Sequence, residues 1–593
     1  MSAVTEVVRP VASVREPRGT RRTRRRTRHR FGPFGWLLFA AVSVVIGYLV
    51  VVPLALLLLS SFRPTGYPLD AGLTLDNYRT IYLSGDTYRL LWTTIQFAVG
   101  STVVAVAIGA VLAWLVERTD LPGRSVLQAL ILLPMGVPPV LLAISWVLIL
   151  SPRVGFVNQL IHQIPALENV SIDIFGMPGM IFVQGLSVVP TVFLVLGPAF
   201  RNLDTSVEEA ARTSGAGAWL TMRRIIFPLL WPATLAAATF VVIVGMVSFD
   251  VPGVLGLPSG IRVLSSAVLE QSSPTSGFPK YGTISALLSL FLVLLVALAA
   301  IYYRQTSRSY RYVTVGGRAY QDRRSPLGRW RVPATMLAWL YVVCGAIAPL
   351  GILVWTSLLP YYSGVTAEAV GLLSFDNYRT IFDNPSFGEV ARNTVIVAGV
   401  SATAVAALCA VVSWLVVRTT FPGRKVLDVL AFVPLAIPHV LVGLALIYVY
   451  LSFTVVNVYG TVWILVIAFV TTYISFGTRV VNSVVLQIDP VLEEAARTSG
   501  ATMARTFMKI TTPILRPALV VVWIWVAAHA MRELSAALML QGADNQVVAT
   551  FLWGYWTGGE TTKAAAVGVV LIGAVLAMGA AWVYSAKRQV RAR

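Results

Sequence analysis

The sequence predicts an all-α polytopic membrane protein whose twelve spanning helices form two parallel six-helix repeats. Three observations carry that expectation: the hydropathy, the placement of positive charge and an internal duplication. Hydrophobic residues make up 57% of the chain and charged residues 12%, against roughly a quarter charged in ordinary soluble domains. A soluble chain of 593 residues with this composition would expose large apolar patches and aggregate. Spread over many bilayer spans, the same composition is what the hydrocarbon requires.

In chain order, the first element is a basic tail, residues 1–33, with ten arginines in its first thirty positions. Such a run invites a nucleic-acid reading, but it feeds straight into an apolar span and no nucleic-acid-binding fold follows. It reads as a disordered cytoplasmic segment that orients the chain. It has no apolar core before Phe31 and so does not read as a signal peptide. Apolar runs of about 20 residues, enough to cross the bilayer core, then fall near 34–60, 89–116, 126–150, 179–200, 231–250 and 283–303. A basic linker covers 304–331, and six more runs fall near 332–359, 389–417, 426–452, 461–478, 517–540 and 564–586. Lipid offers the backbone no hydrogen-bond partner, so these runs are expected to be helices; none alternates in the manner of a barrel strand. The halves are thus 34–303 and 332–593.

Most of the 46 lysines and arginines lie in the tail, the linker, the C-terminal end and the loops on their side. By the positive-inside rule, both termini are expected in the cytoplasm of a bacterial cell with the chain in its inner membrane. Cys344 and Cys409 each sit inside an apolar run, and His29, His162, His439 and His529 are scattered, so no disulfide framework and no protein-built metal site is expected.

The duplication is plain. Asp76-Asn77-Tyr78-Arg79-Thr80-Ile81 recurs as Asp376-Asn377-Tyr378-Arg379-Thr380-Ile381, and Arg118-Thr119 with Pro122-Gly123-Arg124 recurs as Arg418-Thr419 with Pro422-Gly423-Arg424. Pro134 and Pro138 recur as Pro434 and Pro438. The nine residues Glu208 to Ala216 recur identically from Glu493 to Ala501 at a shorter offset, which puts an insertion in the first half near 151–178. Six spans precede the boundary and six follow it, so the halves share one orientation.

The nine-residue block lies in the long loops 201–230 and 479–516, where its chemistry is that of a short, capped helix. Thr205 and Glu208 are spaced as a capping box, and Asp489 precedes Pro490 as N-cap and first helical residue. The pairs Ala210-Ala211 and Ala495-Ala496 favour helix and offer a low surface for close approach. Gly215 and Gly500 supply the left-handed residue that ends a helix. Pro228 and Pro513 close the loops.

The pattern Glu209-Ala210-Ala211, Gly215, Ile225, Pro228, matched by Glu494-Ala495-Ala496, Gly500, Ile510, Pro513, resembles the EAA loop of binding-protein-dependent ABC importer permeases. The residue before the closing proline, usually Leu in that family, is Phe227 in one copy and Thr512 in the other. The resemblance covers nearly the whole chain after the tail. It implies a type I importer permease fold, with Glu208, Glu209, Ala210, Ala211, Gly215, Pro228 and Glu493, Glu494, Ala495, Ala496, Gly500, Pro513 coupling the chain to an ATPase subunit. Because the two blocks are identical, both docking grooves should be alike, hence two copies of one ATPase. A periplasmic or lipid-anchored solute-binding protein is the further implied partner. The fused halves, with Phe249-Asp250-Val251-Pro252 and Glu533-Leu534-Ser535-Ala536 ending the fifth spans, resemble the ferric-iron group; thiamine, phosphonate and polyamine importers are its near relatives.

Other signals are smaller. The repeated proline pairs would kink the third span of each half, either shaping a pathway or only packing. Asp250 and the group His529, Arg532, Glu533 fall at equivalent depth near the ends of the fifth spans. Charge costs about 3 kcal/mol at mid-bilayer, so they are candidate pathway residues, or interfacial anchors if solvated. A P-loop needs Gly-Lys-Ser/Thr, yet Lys280, Lys425, Lys509, Lys563 and Lys587 all follow residues other than glycine. The chain is therefore expected to be no enzyme and to hold no cofactor, with ATP and Mg bound by the partner. The rival readings are a six-plus-six secondary transporter of major-facilitator type, suggested by the Pro-Gly-Arg loops, and a membrane enzyme or scaffold, for which no catalytic constellation is present.

Overall fold

The computed structural model describes residues 33–203, 210–211, 213–272, 279–309, 325–453 and 457–591. The basic tail, most of the linker, and Thr205, Glu208 and Glu209 with their expected capping box lie outside the described residues. In the first half the principal helices are α1 (Pro33–Ser61), α2 (Gly85–Arg118), α3 (Arg124–Leu132), α4 (Pro139–Leu150), α5 (Met177–Arg201), α6 (Phe227–Val247), α7 (Leu264–Ser272) and α8 (Tyr281–Ser309). The second half comprises α9 (Gly328–Ser357), then α10 (Pro385–Arg418), α11 (Arg424–Phe432), α12 (His439–Ser452), α13 (Val462–Gln487) and α14 (Pro490–Thr498). It ends with α15 (Thr512–Arg532), α16 (Ser535–Leu540), α17 (Val548–Thr557) and α18 (Thr561–Arg591). Among the described residues there is no strand, only an isolated bridge between Thr119 and Ser325.

Ten of the twelve expected spans are continuous helices. The third of each half is not. The chain turns by 101° between Arg124–Gly136 and Pro139–Leu150, and by 113° between Arg424–Ala436 and His439–Ser452. The repeated prolines cause this. A residue before proline is driven out of the helical region, and Val137 (φ −93, ψ 131) and Ile437 (φ −97, ψ 121) are extended. The expected kink is thus a near-right-angle break, because an extended residue, Val137 or Ile437, stands between the two helical pieces.

The fifth spans also differ from the apolar runs 231–250 and 517–540. They begin earlier, at Met222 and Met503, and stop at Val247 and Arg532. Beyond them the chain re-enters as short helices: Pro252–Ser259 and α7, bent by 76°, and α16 with α17 in the other half. Asp250 and Glu533 therefore stand after their spans, where the sequence reading placed them inside. The insertion of the first half fills 151–176, with a short helix Phe156–His162, where the second half has only 453–461.

The halves are interlocked. α1 packs on α8 of its own half and on α12 of the other, and α9 packs on α18 and on α4. Phe39 stacks on Phe421 at 4.9 Å and Tyr48 donates to Tyr450 at 3.0 Å. On the other side Tyr362 donates to the Leu148 carbonyl at 2.5 Å; burial pushes its phenol up to about 12, so it stays a donor at any physiological pH. The repeated hexapeptide forms a clamp on the end of the first helix. Asn77 donates to the Ser61 and Arg63 carbonyls, and Asn377 to those of Ser357 and Leu359. Tyr78 and Tyr378 bond the Ser61 and Ser357 hydroxyls. These carbonyls have no partner in their own helix, which is the reason the same residues serve both halves. Within each half, the second, fourth and fifth spans form one packed group. Gly245 brings α6 so close to α2 that a Cβ there would meet the Ala98 Cα at 2.9 Å, the small-residue contact expected between helices in lipid.

Candidate coupling surface and polar cluster

The second copy of the nine-residue block is the helix α14. Asp489 caps it, accepting from the Val491 N–H at 3.0 Å, with Pro490 in the first turn. Its end is a left-handed turn: Gly500 has φ +82 and the Ala501 N–H returns to the Ala496 carbonyl at 3.0 Å. The first copy ends identically, with Gly215 at φ +81 and the Ala216 N–H on the Ala211 carbonyl at 2.9 Å. Both glycines therefore do what the sequence assigned them. Each loop then enters the fifth span through a π turn, Met222–Ile226 and Phe507–Thr511, ahead of Pro228 and Pro513. Proline has no N–H to return to the carbonyl one turn back, and the wider turn accommodates it.

No residue of α14 is buried. Glu494 and Ala495 face outward and Ala496 is half-buried; Val491 and Leu492 are 55% and 47% exposed. In the first copy Ala210 is exposed and Ala211 is buried. The two glutamates of the second copy divide their work. Glu493 turns back into the chain, 3.7 Å from the Arg418 Nε, and accepts from the Thr511 hydroxyl at 3.0 Å. Arg418 also donates through Nη2 to the Val485 carbonyl at 2.9 Å and to that of Ile488. Arg118 makes the matching bond to the Leu203 carbonyl at 3.3 Å. This buried arginine was visible in the sequence only as part of a repeat. Its role depends on three helix ends converging, which no local pattern records.

The second constellation lies at the break after α15. Arg532 crosses to the other half and donates to the Met135 and Val137 carbonyls at 2.5 and 3.1 Å. Those carbonyls belong to the proline break, where helix no longer satisfies them. Arg532 also lies 2.8 Å from the His529 ring, whose Nδ1 is 2.8 Å from the Trp525 carbonyl. Glu533 pairs with His439 at 2.9 Å and accepts from the Tyr473 hydroxyl at 3.2 Å and the Ala536 N–H at 3.3 Å. Asp250 comes from the first half and lies within electrostatic reach of Glu533, Arg532 and His439. Among the described residues its Oδ1 has no hydrogen-bond partner. The four residues expected from the sequence do come together, but Asp250 and Glu533 are not equivalents: Ser248 ends α6 as Glu533 ends α15. His439 and Tyr473, which sequence reasoning left out, complete the group. His439 follows Pro438, so the same proline that breaks the helix aims it. Among the described residues, no three His, Cys, Asp or Glu side chains are grouped so as to hold a metal ion.

A family model described as binding-protein-dependent transport system inner membrane component matches the chain twice, over residues 105–312 and 388–590. The chain belongs to that family. The permease is 26% identical over 490 residues to the ferric transport system permease protein FbpB of Actinobacillus pleuropneumoniae, covering 81% of this chain and 68% of the relative. It is 25% identical over 503 residues to a probable ABC transporter permease, y4fN, of Sinorhizobium fredii, covering 82% and 85%. The sulfate transport permease CysW of Escherichia coli is 26% identical over 274 residues, 45% of this chain but 87% of the relative. Each of the two family matches contains one glycine-ended loop, one proline break and one re-entrant segment, so the permease is a multi-pass membrane chain that carries two copies of the family's unit.

Proposed function

We propose that the permease is the membrane subunit of an ATP-driven importer of ferric iron, both of its EAA loops docking on copies of one ATPase. The observation that carries the coupling reading is the pair of identically terminated loops, whose second helix exposes Val491, Leu492 and Glu494 while Glu493 fixes its base. An exposed apolar pair beside alanines suits a protein partner, and the sequence has no Gly-Lys-Ser/Thr with which to bind ATP itself. The substrate reading is supported by the relative named for ferric transport, which the match follows through both halves. The polar cluster, where both proline breaks meet groups from both halves, is proposed as part of the translocation path. The basic loops support a cytoplasmic position for both termini and the EAA loops.

The test is uptake of radiolabelled ferric iron in a strain lacking the permease, with the purified chain assayed for ATPase alone and after co-purification. Uptake should return with the gene and stop when the ATPase is deleted. The chain alone should hydrolyse no ATP and should recover two ATPase subunits. Uptake that persists without any ATPase and follows a proton or sodium gradient would replace this reading with a secondary transporter.

A further inference from the structure

The second spanning helix of the second half, α10, is tied at both ends to the parts that function uses, and its counterpart α2 shares the far ties and the arginine at the loop end. Each is 34 residues of uninterrupted helix. At the loop end, Arg418 of α10 holds the terminal carbonyls of α13 and the Glu493 carboxylate of the docking helix. Glu493 is in turn held by Thr511 in the π turn that opens the fifth span. In the first half Arg118 holds Leu203, and one residue earlier Glu117 takes a two-point bond from Arg201 at 2.7 and 3.0 Å.

At the far end the same helices grip the re-entrant segments. The Thr394 hydroxyl accepts from the Val548 N–H at 2.9 Å, and Asn393 donates to the Asp544 and Gln546 carbonyls, both at 3.2 Å. At the equivalent places of the first half, the Thr94 hydroxyl accepts from the Leu264 N–H at 3.0 Å and Thr93 donates to the Arg262 carbonyl at 2.7 Å. These re-entrant segments begin at Asp250 and at Glu533, the carboxylates of the polar cluster. From Thr94 to Arg118, or Thr394 to Arg418, the rise is about 36 Å of helix. An α-helix with no internal proline does not shorten over that distance without breaking hydrogen bonds, and it curves only gently.

We propose that α2 and α10 are rigid rods that carry displacement of the docking helices to the re-entrant segments bordering the polar cluster. Arg118 and Arg418 are the near couplings, and Thr93-Thr94 and Asn393-Thr394 the far ones. All are positioning residues. A mostly buried guanidinium that bonds helix-end carbonyls cannot release one without leaving an N–H unsatisfied, so the helix ends it joins move together. The far couplings use backbone N–H and carbonyl groups of the segment itself, so they move its main chain and not a single side chain.

This rests on the EAA loops being ATPase docking sites, and the experiment separates the two. The permease, its ATPase and its iron-loaded binding protein are assembled in proteoliposomes, and ferric iron imported per ATP hydrolysed is measured. Asn393→Leu with Thr394→Val removes the far coupling at nearly constant volume, and should lower iron imported per ATP at least fivefold, with ATPase recovery unchanged. Thr394→Ser keeps the acceptor and should behave as wild type. Arg418→Gln should leave the ATPase bound but remove its stimulation by the binding protein. A merely structural role would lower abundance, hydrolysis and uptake together, and an unchanged ratio in both variants would overturn the rod. Failure of the wild-type chain to recover an ATPase would instead remove the docking reading, and the rod with it.

Discussion

Gly500 offers a clean perturbation because its surroundings exclude every effect but one. Its φ is +82, and a Cβ built there meets nothing within 4 Å. Gly500→Ala therefore adds no clash; it adds only the local cost of holding an L-residue in the left-handed region, about 1–2 kcal/mol. The turn is fixed by the Gly500 N–H on the Arg497 carbonyl and the Ala501 N–H on that of Ala496, both at 3.0 Å. The strain shifts the loop away from that shape, and the docked shape becomes rarer by a factor of about 5–30. Gly215, at φ +81 and equally open, should give the same result, and the double variant about the product. Asn tolerates this region better than Ala, while a β-branched residue is a genuine outlier there. The expected order of ATPase affinity is Gly, Asn, Ala, Val. The assay is titration of the purified ATPase onto permease in nanodiscs, with uptake measured in parallel and permease abundance as the control. Ala variants that bind within twofold of wild type, or Asn variants as weak as Val, would refute the claim that the left-handed turn sets the docking shape.

Asp250→Ala with Glu533→Ala should slow iron uptake while leaving ATPase recovery unchanged; unaltered uptake would remove the cluster from the path. Arg532→Gln loses charged hydrogen bonds of about 1.5–3 kcal/mol each to Met135 and Val137, and uptake should fall at least tenfold at normal abundance. Equal uptake would show that the crossing bonds are idle. A reporter active only outside the cell should score after residues 70 and 370 and fail after 215 and 500; reversed signals at either loop would sink the orientation. Glu493→Gln keeps the Thr511 bond but loses the charge facing Arg418; it should weaken ATPase stimulation less than Arg418→Gln does, read from the same proteoliposome assay.

The sequence by itself determined the all-helical membrane fold, its duplication and the left-handed turns at Gly215 and Gly500, because each of these leaves its own pattern in the residues. An apolar run of bilayer length has to be a helix, a proline favours a bend in one, and a glycine after a short Ala-rich helix readily turns left-handed. The identity of the nine-residue blocks likewise marked the two loops proposed to dock an ATPase. Only the tertiary structure decided what the buried charges do. Arg418 and Glu493 lie far apart in sequence, and Arg532 meets Met135 and Val137 across the two halves. His439 looked like a stray histidine until the break at Pro438 set it against Glu533. The fifth spans were drawn past their C-terminal ends for a related reason: the re-entrant segments begin with buried apolar residues such as Val251, Leu255, Leu534 and Leu540, and hydropathy does not register where a chain turns back. Burial of charge is affordable only where partners converge from several helices, and that convergence is a property of the packed fold.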